Sequence, residues 1–251
     1  MKSRLLKSIY ASVYGSFSNP LNKTFILNGH ELGNHTKDPV FKFRSLLKGI
    51  SKKYDLISFD KAVLQLKNDI PLTKPQLAFS FDDGFKDCLI IAKILEEFDI
   101  TAGFFISPEY IDGLRLRKNR IGSLYLMNKK FLNLKDLEML VKNGHTIGAH
   151  TYNHTHFDSI TTKEDFKHQI ICEKKIIEQR LAISCINFAF PYGRLSNYEN
   201  FYLNEIKTIY LNLFLSDNSS TETIYKGLIN RRHFECYWNH NEVNYFLSKF
   251  K

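Results

Sequence analysis

The run Gln76-Leu-Ala-Phe-Ser-Phe81 leads directly into Asp82-Asp83-Gly84. An apolar segment of that length reads as a buried strand, and the glycine reads as the turn that leaves it. Any fold of this chain must therefore hold two adjacent carboxylates at the C-terminal mouth of a strand. Some seventy residues on, imidazoles take the same place in His145-Thr-Ile-Gly-Ala-His150-Thr-Tyr-Asn-His154.

Short apolar strands alternate with helical patterns along most of the chain. Strands are expected at Thr24–Leu27, Tyr54–Ser58, Gln76–Phe81, Thr101–Ile106, His145–Ala149, Ser184–Phe190, Ile209–Leu215 and Gly227–Asn230. Helical spacing covers Val40–Lys53, Asp60–Lys67 and the segment from Leu89 to Phe98, whose apolar residues make one face. Asn133 suits an N-cap for a helix over Leu134–Lys142, with Gly144 as its stop. Thr161-Thr-Lys-Glu164 has the form of a capping box opening a helix to about Arg180, and the tail from Asn241 is helical. Tyr110–Lys130 is irregular and charged, and is expected to be a surface loop beside the site.

Repeated βα units imply a parallel sheet or barrel. With 251 residues, 43% of them hydrophobic, residues 1–251 make one domain, of which residues 1–23 form a helical N-terminal extension. In such folds the working residues sit at the C-terminal edge of the sheet. Asp82-Asp83, His150 and Pro191-Tyr192 all follow expected strands, so three strand exits point to one rim.

Composition narrows the function classes. No apolar stretch is long enough to span a bilayer. The basic start Met1–Lys7 lacks the unbroken apolar run of a signal peptide, so the mature chain is expected to begin at Met1 and to stay in the cytoplasm, in part at the inner membrane face. Cys88, Cys172, Cys185 and Cys236 lack the spacing of a disulfide framework or a thiolate zinc site, and Cys88 reads as a small core residue. The net charge is +9, with basic residues gathered at Arg115–Arg120 and Lys42–Lys53. The Arg115–Arg120 cluster lies in an irregular segment without interleaved aromatic residues and so does not make a base-stacking surface, and no nucleic-acid partner is expected. In the first helix Leu5, Ile9, Val13 and Phe17 recur every four residues near Lys2, Arg4 and Lys7. That pattern fits either a helix packed on the barrel or one resting on anionic lipid.

His150 and His154 are four apart, but Thr151 stands where an HExxH motif needs glutamate. Two histidines and one carboxylate suit a divalent ion with open positions, zinc first and cobalt, nickel or manganese also. Two aspartates on one rim repel each other unless a cation or a shared proton relieves them. One bound to an ion leaves the other as a base that takes a proton from attacking water.

Phe81-Asp82-Asp83-Gly84, His150-Thr151-x-x-His154 and Phe188-Ala-Phe-Pro191-Tyr192-Gly193 resemble the first three signatures of the polysaccharide deacetylases. The resemblance runs from about Phe25 to Arg232. It implies a distorted (β/α)7 barrel and metal-dependent removal of acyl groups, acetyl foremost, from an amino sugar in surface-glycan assembly. The sugar would be nucleotide-linked, lipid-linked or part of an oligosaccharide. The resemblance makes Asp82 the base and Asp83, His150 and His154 the metal ligands, with the Tyr192 backbone N–H on the developing oxyanion and Pro191 beside the substrate. Many members carry an arginine in the third signature that steadies the base, where this chain has Ala189. Arg231-Arg232-His233, at a late strand exit, offers both an arginine and an acid. Strand alternation sends Arg232 to one face and Arg231 and His233 to the other. His233 is the preferred acid and His30 the other candidate; Arg231 and His30 are also expected at the substrate, and His156 just outside the metal site. An O-deacetylase, a deformylase or a non-catalytic sugar-binding barrel are the alternatives.

Overall fold

The computed structural model describes residues 2–19, 21–33, 37–114, 129–194, 202–219, 222–225 and 227–249, with backbone alone at 2–7 and 225. The expected loop at Tyr110–Lys130, including Arg115–Arg120, lies largely outside the described residues.

The strands are β1 (Thr24–Gly29), β2 (Asp55–Leu56), β3 (Gln76–Phe81), β4 (Gly103–Ile106), β5 (Thr146–Ala149), β6 (Asn187–Ala189), β7 (Asn212–Leu215), β8 (Ile224–Tyr225), β9 (Leu228–Asn230) and β10 (Arg232–His233). They form one sheet in the order β10-β1-β3-β4-β5-β6-β7-β9-β8, parallel except at β8. Only Arg231 separates β9 from β10. β9 pairs with β7 through Phe214↔Ile229, while β10 pairs with β1 through Leu27↔Arg232. One bent strand thus bonds to both ends of the sheet and closes it, giving the distorted (β/α)7 barrel. The short β2 lies outside the ring on β3.

The period of two along each strand sorts residues into layers. Ile26, Ala78, Phe105, Ala189, Phe214 and Ile229 point inward and make a small core of their own. Ile57 and the helix Phe59–Asn68, through Phe59, Ala62 and Val63, plug the barrel where the strands begin. Gly148 faces this core as well; a Cβ there would sit 2.5 Å from the Phe105 ring. Outward residues such as Phe25, Leu77, Phe79, Phe104 and Ile147 pack under the surrounding helices with Phe43, Leu95 and Leu140. Two residues further along the inward rows lie Asn28, Ser80 and Arg231, and beyond them Asp82, His150, Ser216 and His233. The inside of the barrel therefore changes from apolar to polar toward one mouth.

Several expected elements have shifted bounds. Asn133 caps Leu134–Lys142 with a reciprocal capping box, and Gly144 adopts φ 84°. The next cap, however, is Thr162 and not Thr161; its hydroxyl accepts from Asp165 N–H. The helix it opens is interrupted by a π-helical segment, Lys167–Cys172, before Glu173–Leu181. Ile209, expected to start a strand, ends the helix Leu203–Ile209, and β7 starts at Asn212. The N-terminal helix spans Lys2–Phe17. Among the described residues no helix is long and apolar enough to cross a membrane. All four cysteines are free thiols, and Cys88 is a core residue.

Candidate active site

β3 delivers both aspartates. Asp82 continues the strand, its N–H donating to the Gly29 carbonyl at 3.1 Å. Asp83 then takes φ 71° and Gly84 φ 70°, two successive left-handed residues that reverse the chain at the barrel mouth. Gly84 suits the turn because a side chain there would be strained and would crowd Ile106. β5 delivers the histidines through a comparable device. Thr151 (φ 57°) and His154 (φ 61°) are left-handed and fold the chain back, setting the two imidazoles 5.0 Å apart between ring centroids.

The donors converge on one point. His154 Nε2 lies 3.1 Å and His150 Nε2 3.6 Å from Asp83 Oδ1. One donor atom from each residue falls within 4.8 Å of the others. Asp83 Oδ1 is buried with no hydrogen-bond partner, a costly state for a carboxylate that no cation neutralises. His150 Nδ1–H donates to the Ala189 carbonyl at 2.8 Å, which leaves the Nε2 lone pair aimed at the cluster. The set of two imidazoles and one carboxylate fits a divalent first-row ion. Burial pushes the Asp83 carboxyl up, but the imidazoles facing it more than offset this and hold it well below the usual carboxylate range.

Asp82 belongs to a separate network. Arg231 grips it with two parallel bonds, Nη1 to Oδ1 at 2.7 Å and Nη2 to Oδ2 at 2.8 Å. Asn28 donates to Oδ2 at 2.9 Å. The same Nη1 also donates to Asn28 Oδ1 and Ser80 Oγ, and Nε donates to the Leu215 carbonyl. The guanidinium lies 4.8 Å from the Phe105 ring centroid, on top of the apolar layer. Burial alone would raise the Asp82 carboxyl; the charge and hydrogen bonds of Arg231, with His150 nearby, hold it below its ordinary value.

A cavity of about 650 Å³ opens over these groups, lined by Asp82, Asp83, His150 and His154 on its floor and by His30, Tyr192, Ser216 and His233 among its walls. Tyr192 (φ 65°) is 58% exposed, edge-on to His154 and stacked on His156 at 5.3 Å. His156 thus sits one residue outside the donor cluster. His233 reaches the cavity 5.6 Å from the His30 ring, with Nε2 3.4 Å from Glu235 Oε1.

Two sequence expectations change place. Arg231, expected at the substrate, is fully buried behind Asp82 because the inward row of β9 carries it beneath the rim. Pro191 is buried in the turn below Tyr192 and is not part of the cavity wall. Arg232, on the opposite face as alternation requires, donates to the Asp217 and Glu222 carbonyls.

The structure also adds residues. Asn28 and Ser80 complete the cradle of Asp82, and the rows Ile26–Asn28 and Ala78–Ser80–Asp82 carried that signal in the sequence. Glu173, buried at the end of the π-helical segment, accepts from the His150 backbone N–H at 2.6 Å. Gln169, in the same segment, accepts from the Tyr152 and Asn153 N–H groups through its carbonyl and side chain. Nothing in the sequence sets Glu173 apart from the other charged residues of that helix.

The model of the polysaccharide deacetylase family matches residues 69–209, which contain both aspartates, both histidines and the Pro191–Gly193 turn. The chain belongs to the polysaccharide deacetylase family. A peptidoglycan-N-acetylglucosamine deacetylase of Bacillus cereus is 26% identical over 128 residues, covering 50% of this chain and 39% of that protein. The chain thus matches well under half of that relative's length. Among solved structures, IcaB from Ammonifex degensii superposes with a TM-score of 0.68 at 15% identity, over 91% of this chain and 99% of that one. The Streptococcus pyogenes deacetylase in complex with acetate gives 0.64 at 16%, over 90% and 97%. A Bacillus cereus polysaccharide deacetylase gives 0.67 at 16%, over 89% and 68%. At these identities the superpositions speak for the fold. Across the family match, a deacetylase barrel carries its acidic and imidazole residues at one mouth, while Arg231 and His233 of this chain lie beyond the matched segment.

Proposed function

We propose that this protein is a metal-dependent hydrolase that removes an N-acyl group, acetyl foremost, from an amino sugar in surface-glycan assembly. The observation that carries the reading is the pairing of two sites at one mouth of the barrel: an Asp83–His150–His154 donor cluster with an orphaned carboxylate oxygen, and an Asp82 clamped by arginine. Asp83, His150 and His154 would hold a divalent ion, zinc foremost, which when bound would supply positive charge against the amide carbonyl and the attacking water.

The chain's own residues supply the rest. Asp82 is the base. Arg231 and Asn28 keep it ionised and fix its orientation; Oδ2 accepts from both, while Oδ1 accepts from Arg231 alone and retains a lone pair for an incoming proton. Arg231 fills the role that Ala189 leaves open, which favours an active enzyme over a binding-only barrel. The Tyr192 backbone N–H, at the left-handed turn, faces the developing oxyanion. The amine cannot leave as an anion, so it takes a proton, and His233 on the cavity wall donates it with Glu235 orienting the ring. His30 and Tyr192 border the sugar. The sugar itself would be carried on a nucleotide, a lipid or an oligosaccharide.

The test is an assay of released acetate and formate, with the matching free amine, against sugar nucleotides, lipid-linked sugars and N-acetylated oligosaccharides. Acetate with an equal amount of amine is expected. Formate, or acetate without amine, would instead make the chain a deformylase or an O-deacetylase. No release from any member of the panel, with the metal site filled, would contradict hydrolysis.

A further inference from the structure

The N-terminal helix Lys2–Phe17 is seated on the barrel by its polar side. Ser8 Oγ donates to Glu242 Oε1 at 2.5 Å, and Ser12 Oγ accepts from Asn239 Nδ2 at 2.7 Å. Gly15 lies so close to the helix His240–Leu247 that a Cβ there would fall 1.8 Å from the Asn241 carbonyl oxygen. Residues 8, 12 and 15 share one helical face, so the opposite face is presented outward. That face is apolar. Ile9 (52%), Val13 (53%) and Phe17 (82%) are exposed along it, and Tyr10 (49%) and Tyr14 (52%) are half exposed at the edge that meets Tyr245. A surface helix ordinarily buries its apolar stripe and shows its polar side; this one does the reverse. A contiguous exposed stripe of large apolar residues marks an interaction surface.

Charge selects the occupant. The helix contains no acidic residue, and the sequence sets Lys2, Arg4 and Lys7 in its first two turns. Around it, Tyr10 and Tyr14 pack ring against ring in a tilted pair and reach Tyr245, over whose ring Lys249 Nζ sits at 4.1 Å. Lys52 and Lys53 flank His240 and, with burial, depress its protonation. A second copy of this +9 chain would bring like charges together. An anionic bilayer offers complementary charge, and the tyrosines suit its headgroup level. The helix is too short and too polar on one side to cross a bilayer, but suited to lie in its interface.

We propose that the outward face of the N-terminal helix docks the protein on a bilayer carrying anionic lipid. The seat lies where the strands begin: Lys53 Nζ holds the Ser18 carbonyl, and His240 packs on Gly49 at the C-terminal end of the helix Pro39–Ile50. Catalytic groups line the other end. The docked protein keeps its mouth open to solution, so the helix anchors the enzyme without pressing its cavity onto a lipid headgroup.

The test is cosedimentation of the full chain with phosphatidylcholine vesicles, with and without phosphatidylserine. Binding is expected only with phosphatidylserine, weakened by salt, and reduced about tenfold or more in Ile9→Ser/Val13→Ser/Phe17→Ser, whose thermal midpoint stays at the wild-type value. No binding to phosphatidylserine vesicles at low salt, or equal binding by the triple variant, would overturn the proposal. So would a wild-type dimer in sedimentation velocity that the triple variant converts to monomer, because a second copy would then cover the stripe.

Discussion

Asp82 and Asp83 are neighbours with opposite needs, and the structure satisfies each differently. In the proposed reaction Asp82 must accept a proton, and the Arg231 guanidinium beside it holds its charge. Replacing Arg231 removes that charge while leaving Asp82 buried. Arg231→Met should raise the Asp82 carboxyl, so the acid limb of kcat/KM should move to higher pH, because the base is then protonated over a wider range. The same change leaves a buried carboxylate unpaired and should cost about 3–5 kcal/mol of stability. An acid limb at the wild-type position would show that Arg231 does not tune the base. The sequence pointed to Arg231 through alternation with Arg232 and His233, but could not show its depth. Depth depends on where the last strand bends, which is a property of the closed ring.

At the level of elements, the loop from His150 to His154 is held from below by the helix across it. Glu173 and Gln169 receive three backbone N–H groups of that loop, Gln169 from within the π-helical segment and Glu173 from the residue that follows it. Glu173→Leu should weaken binding of a divalent ion by about 10–100-fold with the three donors untouched, measured by competition with a chelating dye. Undiminished affinity would make Glu173 a packing residue only. His145, just before β5, bears on stability. Its Nδ1 accepts from Ala102 N–H at 3.1 Å and its Nε2 faces Glu96 at 3.1 Å, an arrangement that needs the neutral ring. Burial lowers its tendency to protonate, and Glu96 offsets only part of this. Below pH 6.5 the unfolded chain therefore binds a proton that the folded chain resists, so this contribution to stability is present above pH 6.5 and lost as pH falls. The wild type should lose up to about 1.4 kcal/mol per pH unit more than His145→Gln in that window. Parallel curves from denaturant titrations would refute it. Elements with strong local signals were legible: Gln76–Phe81 from its apolar run, Leu134–Lys142 from Asn133 and Gly144. The π-helical break was not, because the helical pattern of the sequence runs through it unchanged. Ile209 misled because a helix end and a strand start there share one apolar run.

Across the whole molecule, one bent strand closes the barrel and also carries Arg231 and His233 to the mouth, so closure and site assembly are linked. The donor cluster ties β3 to β5 at that mouth. Ions bound only by the folded state stabilise it by mass action, so chelation should lower the thermal midpoint of the wild type and leave His150→Ala/His154→Ala unaffected. An equal response in both would remove the cluster from the account. The barrel was legible in the sequence because its strands and helices alternate. The layering inside it was only partly so, since single rows such as Ala78–Ser80–Asp82 show alternation but not which rows meet.

In the proposed reaction Asp82 is the base beside a filled metal site. The decisive measurement is acetate release from an N-acetylated amino-sugar oligosaccharide by wild-type protein and Asp82→Asn at equal, verified metal content. A loss of at least about a hundredfold in kcat with metal retained is expected, because asparagine keeps the shape and cannot take the proton. Asp82→Asn turning over at the wild-type rate would contradict the account.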